Sequence, residues 1–164
     1  MNKNAVKRFA PRARRELIEA VKRRMLLLEI DEKTASNRSE RDRREIGEIF
    51  LSKEQIKARN RALDEVREKG VEEVAEEVAY TWFNRFIAVK FMEENSLFPP
   101  FVPSAMKFLD TSSGLPEVLR DPLRFSRVLN IEEQEIKKLF LEDELGELFK
   151  RLMIALFNLS LIHI

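Results

Sequence analysis

The 164-residue chain is 44% apolar and 36% charged, with four Gly, six Pro and no Cys. This composition favours one helix-rich domain over a turn-rich β fold, and it excludes disulfides and thiolate-bound metals. Net charge is only +1, yet residues 1–70 hold 20 Lys/Arg against 13 Asp/Glu while residues 71–164 hold 10 against 16. A basic front half suits phosphate, an acidic partner, or the chain's own acidic half. No run of 18 apolar residues occurs, so no membrane span is expected, and the basic N-terminus lacks the apolar core of a signal peptide.

Residues 4–29 read as a helix, with Val6, Phe9, Ala13, Leu17, Val21, Met25 and Leu28 recurring at spacings of three and four. Pro11 removes a backbone donor, so the helix either kinks there or starts near Ala10. Arg8, Arg12, Arg15, Lys22 and Arg23 fall on the opposite side, interrupted by Glu19. That row is either a solvated face or a face that contacts phosphates. Residues 31–45 contain a single small apolar residue, Ala35, and read as a polar connection or a solvent-exposed helical extension, with mobility expected at the centre. Ile46, Ile49, Phe50 and Leu51 form a small apolar cluster. Ser52 with Gln55 reads as a capping box opening a helix at Lys53, and Gly70 as its stop.

Residues 71–95 predict the central helix. Its first turns carry Glu72, Glu73, Glu76 and Glu77, which complement the positive helix end better than they form a catalytic pair, since no His or metal partner is near. The run 78–95 contains the one Trp, the one Tyr and three of the twelve Phe. On a helical projection its large side chains cover more than half the circumference, the pattern of a helix contacted on several sides. Trp82, Phe83, Asn84, Arg85 and Phe86 form its core signature. Asn84 and Arg85 are expected to hydrogen-bond neighbouring helices or loop carbonyls, with a nucleic-acid contact as the alternative. Leu97–Pro103, with three prolines, is a stiff strap suited to packing rather than to a peptide groove. Residues 97–123 are irregular. Met106–Leu109 reads as a short strand or helical turn, Asp110–Gly114 as a loop, and Pro116–Arg120 as a short helix. Asn130 reads as the N-cap of a helix through Ile136, Leu139 and Phe140. A last helix from near Asp143 carries Leu145, Leu148, Phe149, Leu152, Met153, Leu156 and Phe157. The chain is therefore expected to be all-α in the main, a helical bundle around residues 71–95.

The run AYTWFNRFIAVKFMEEN, Ala79–Asn95, resembles a signature of the adenine-specific DNA methyltransferases of BREX phage-defence systems, the PglX family. The basic stretch Ala5–Ile18 and the later Leu115–Leu119 match the same pattern in order and rough spacing, so the resemblance spans roughly residues 4–155. It implies a parent enzyme that uses S-adenosylmethionine, acts on DNA in the cytoplasm, and works beside other phage-defence proteins. The motifs for that chemistry are missing. No GxGxxG, GxxxxGKS, HExxH or GxSxG occurs, and Pro99-Pro100 sits between Phe98 and Phe101 rather than in an Asn-Pro-Pro-Tyr loop. The expectation is an inactive N-terminal helical segment over residues 1–158, without catalytic, cofactor or metal residues of its own. The alternative is a free-standing helical module that binds nucleic acid or protein. The final LSLIHI, Leu159–Ile164, resembles the translation of a transposon-end adapter. Residues 159–164 are then a non-native tail, and the one histidine, His163, carries no functional weight.

Overall fold

The computed structural model describes residues 3–98, 101–106 and 114–162, with the side chains of 3–6 and 159–162 left outside the description. Among the described residues it is mostly α-helical. Nine helices accompany one two-stranded hairpin: α1 Lys3–Leu27, α2 Glu32–Ser36, α3 Arg38–Arg41, β1 Glu45–Ile46, β2 Ile49–Phe50, α4 Lys53–Lys69, α5 Val71–Glu94, α6 Glu117–Arg120, α7 Pro122–Val128, α8 Glu133–Leu141 and α9 Leu145–Ile162. The chain divides into two compact units, Met1–Asn84 and Arg85–Ile164.

In the first unit, α1 runs through Pro11 without ending there. It closes at Glu29, which takes a left-handed φ of 48° while the Ile30 N–H bonds back to the Met25 carbonyl at 2.9 Å. This closure turns Ile30 onto Met25, and both enter a core of Ala35, Leu63, Val66, Val74 and Ala75. The apolar stripe of α1 is buried unevenly: Met25 is inside, while Phe9 is 57% exposed.

Residues 31–45 contain two short helices, α2 and α3, and lead into β1. Asp31 caps α2 by accepting the Thr34 N–H at 2.7 Å, and Asn37 caps α3 by accepting the Ser39 N–H at 3.2 Å. Short polar residues that favour loops in a sequence here supply the caps that begin short helices. The fastening comes from Arg59 of α4, only 3% exposed. It donates to the carbonyls of Leu28 at 2.7 Å, Glu29 at 3.2 Å, and Glu40 and Arg41 at 3.0 Å each. Burial pushes this guanidinium below its usual pKa, and the nearby Glu29 charge opposes that shift. Beyond α3, Gly47 with φ 58° turns the chain between β1 and β2, which pair antiparallel with Ile46 opposite Ile49.

The capping box forms as the sequence indicates: Ser52 Oγ accepts the Gln55 N–H and Gln55 Oε1 accepts the Ser52 N–H. Gly70, with φ 86°, separates α4 from α5 and has no side chain to cap the new helix. Glu32 of α2 does that instead, its Oε1 accepting the Val71 N–H at 3.1 Å.

In the second unit, α9 buries Leu148, Leu152, Met153, Leu156 and Phe157 beside Phe125, Val118 and Ile136. Burying each such side chain contributes roughly 1.5–3 kcal/mol. Val102 of the strap and Ala105 just beyond it are buried, and Glu93 Oε1 accepts the N–H groups of Ala105 and Met106. α6 begins one residue after Pro116, close to the expected start. α7 was not anticipated: Asp121 caps it through the Arg124 N–H, with Pro122 in its first turn.

One expected cap takes the opposite role. Asn130 does not open α8 but closes α7, with φ 53° and the Ile131 N–H bonded to the Ser126 carbonyl at 2.9 Å. Asp143 likewise closes α8, with φ 56° and the Glu144 N–H on the Leu139 carbonyl at 3.0 Å, so α9 begins at Leu145. Asn and Asp serve both roles because their short side chains tolerate the left-handed region. Pro99, Pro100, the readings over Lys107–Ser113 and the side chains of the tail 159–164 lie outside the described residues.

Charge-assisted hydrogen bonds contribute about 1.5–3 kcal/mol net each. Arg59→Lys cannot reach all four carbonyls, so denaturant unfolding should show a loss of roughly 3 kcal/mol, with residues 31–45 losing hydrogen-exchange protection first. A second expectation concerns Glu54. Its own backbone N–H, and then the Ser52 hydroxyl, hold its carboxyl below the usual value near 4.5. The folded value is depressed, so the stabilisation is present above 4.5 and is lost as pH falls through the folded value. Glu54→Gln should therefore melt earlier than the parent at neutral pH, and the gap should close in acid.

Candidate nucleic-acid interface

The basic row of α1 follows from its sequence spacing, but its members differ once placed. Arg8, Arg15 and Arg23 are exposed and form no ion pair among the described residues. Arg12 is also exposed, yet its Nε lies 2.8 Å from Glu16 Oε1 one turn on. Hydrogen bonding to Glu16, and then its Coulombic attraction, raise the Arg12 pKa further above its usual value. Lys22 turns away from the row towards α5 and pairs with Glu72, with Glu19 3.9 Å away. Its pKa is raised, chiefly by hydrogen bonding to Glu72. Three free guanidinium groups thus remain of five basic residues, which the sequence pattern alone did not separate.

The same helix carries Arg14, whose Nη2 reaches Glu76 Oε2 of α5 at 3.0 Å. With Ala10, Pro11, Arg15, Ile18, Tyr80 and Phe83 this pair lines a groove of about 840 Å3. The glutamates at the start of α5 are therefore used as partners for basic groups, Glu72 for Lys22, Glu76 for Arg14 and Glu77 for Lys69.

The aromatic signature divides between surface and core. Trp82, Phe83 and Phe86 are partly buried, whereas Asn84 and Arg85 are exposed, not buried as the sequence suggested. Phe86 stacks on Phe149 at 6.2 Å between centroids and meets Phe157 edge-on at 5.9 Å. The Arg85 guanidinium lies 5.7 Å from the Phe157 ring centroid, so its partner is an aromatic face rather than a carbonyl. Tyr80, Ile87 and Phe91 of the same helix are 58%, 47% and 59% exposed, so α5 is less enclosed than its composition implies.

Among the described residues no cluster of His, Asp or Glu is arranged to hold a metal ion, and no helix is long and apolar enough to cross a membrane. Among the described residues no glycine turn links a strand to a helix. S-adenosylmethionine calls for a glycine turn between a strand and a helix, and here the two-residue strands β1 and β2 are joined to each other at Gly47.

Over 136 residues, 74% of its length, the chain is 32% identical to the adenine-specific methyltransferase PglX of Lacticaseibacillus casei (strain Zhang). Over 133 residues, 73% of its length, it is 31% identical to the adenine-specific methyltransferase BrxX of Escherichia coli O9:H4 (strain HS). The chain is related to the PglX family. It spans about 11% of the length of either of these PglX-type relatives. No family model matches it, and no solved structure matches it.

Proposed function

We propose that this chain is a helical, non-catalytic part of a PglX-type adenine-specific DNA methyltransferase of a phage-defence system, and that its α1 arginines lie along DNA phosphates. The observation that carries the reading is the similarity over three quarters of the chain to two adenine-specific methyltransferases. The α1 geometry adds to it, because Arg8, Arg15 and Arg23 project from one exposed face while Met25 and Val21 hold the other side to the core. Contacts of this kind position a protein on DNA without reading bases. In this proposal the parent acts in the cytoplasm, binds S-adenosylmethionine through residues outside this chain, and works with other proteins of its defence system. The parts described here then serve as scaffold and backbone contact.

Each phosphate neutralised adds roughly 0.9 to the log–log salt slope of duplex binding. In the parent enzyme, changing Arg8, Arg15 and Arg23 together to Ala should weaken binding to all sequences alike and lower the slope by up to about 2.7. Arg12→Ala should do less, because Glu16 already holds that guanidinium. Unchanged affinity and slope, with the fold intact by circular dichroism, would leave a solvated face as the better reading.

The chain on its own should not transfer methyl groups. Labelled methyl incorporation into DNA by the purified 164-residue chain, above a buffer control, would contradict this.

A further inference from the structure

A pocket of about 430 Å3 opens where the 31–45 segment meets α4. The guanidinium-bearing residues Arg38, Arg41 and Arg67 line it, with Asn60, Asp42 and Ser36. None of the α1 arginines contributes. Guanidinium groups gathered at one site repel one another unless anions sit among them. Two carboxylates stand nearby. Asp64 Oδ1 lies 2.6 Å from Arg41 Nη2 and 3.7 Å from Arg67 Nη2, so it holds those two groups together. Asp42 accepts the Asn60 Nδ2 hydrogen bond at 3.0 Å and takes no cation in an ion pair among the described residues. Arg38 forms no ion pair among the described residues either. Two carboxylates against three guanidinium groups leave the site positive.

We propose that this pocket binds a phosphate group, with Arg38 and Arg67 as its principal donors and Asp64 as a positioning residue behind Arg41 and Arg67. Phosphate oxygens match the planar fork of arginine two at a time, and one phosphate can engage several guanidinium groups. The phosphate has two sources with this chemistry, the DNA backbone or a free phosphorylated small molecule. The first source rests on the proposed function; the second does not.

The test uses the 164-residue chain. Inorganic phosphate is titrated while the Nε–H resonances of Arg38, Arg41 and Arg67 are followed. Binding of a short DNA duplex is measured in parallel at graded salt. Three variants are compared: Arg38→Ala with Arg67→Ala, the single reversal Arg38→Glu, and Arg61→Ala on the exposed surface of α4 as control. Arg38 has no ion-pair partner to lose, so the reversal keeps the test open if the double variant unfolds. Phosphate should shift all three resonances, and both pocket variants should weaken its binding at least tenfold while Arg61→Ala leaves it unchanged. If DNA is the source, duplex affinity falls as well, and the double variant lowers the salt slope by up to about 1.8. If a free phosphorylated molecule is the source, duplex affinity holds while phosphate binding falls. Absence of phosphate-dependent shifts, with duplex binding equal in all three variants, overturns the proposal. Duplex binding that depends on Arg8, Arg15 and Arg23 in that case removes this pocket and leaves the α1 reading standing.

Discussion

A single buried guanidinium fastens the ends of α1 and α3 to α4. Arg59 receives no carboxylate in its pocket of hydrogen bonds; its four acceptors are backbone carbonyls at the ends of α1 and α3. Those are the negative ends of two helices, where carbonyls have no partner within the helix. One cation therefore satisfies orphan acceptors from both and is itself compensated for leaving water. Arginine is suited to this because its five donors fan out in one plane and keep their charge. The caps at Asp31 and Asn37, and the meeting of Arg38 and Arg41 with α4, are arranged around that contact.

The helix α5 serves each unit by a different means. Its first half places Val74 and Ala75 among small and aliphatic neighbours from α1, α2 and α4. Its second half supplies Phe86 to an aromatic group with Phe149 and Phe157, and buries Val89. Trp82 and Phe86 are each half-buried, as expected of a helix that organises its surroundings. The exposed Tyr80, Ile87 and Phe91 show where composition overstated burial. A projection counts apolar residues around the axis, but only neighbouring elements decide which of them lose contact with water.

Regular spacing and local caps were legible in the sequence; long-range polar contacts were not. The α9 stripe, the Ser52–Gln55 box and the stop at Gly70 depend on residues within a turn or two of each other. The fastening of residues 31–45 rests on Arg59, as far as 31 positions from its acceptor, and an arginine in an otherwise charged helix carries no mark of burial. The role of Asn130 was inverted because short polar residues suit both ends of a helix. The candidate interface shows the same division. Its five basic residues were visible as a row, but whether each was already engaged depended on Glu16 within the helix and on Glu72 across it.

The hydrogen bond from the Val71 N–H to Glu32 has a consequence for how the first unit opens. Gly70 leaves α5 without a cap of its own, and α2 provides one from 39 positions away. Local unfolding proceeds in cooperative blocks rather than residue by residue. Here the block that contains α2 and α3 is joined to the first turn of α5. Release of the polar segment therefore removes a side-chain acceptor at the start of α5, so fraying there becomes easier once α2 has opened.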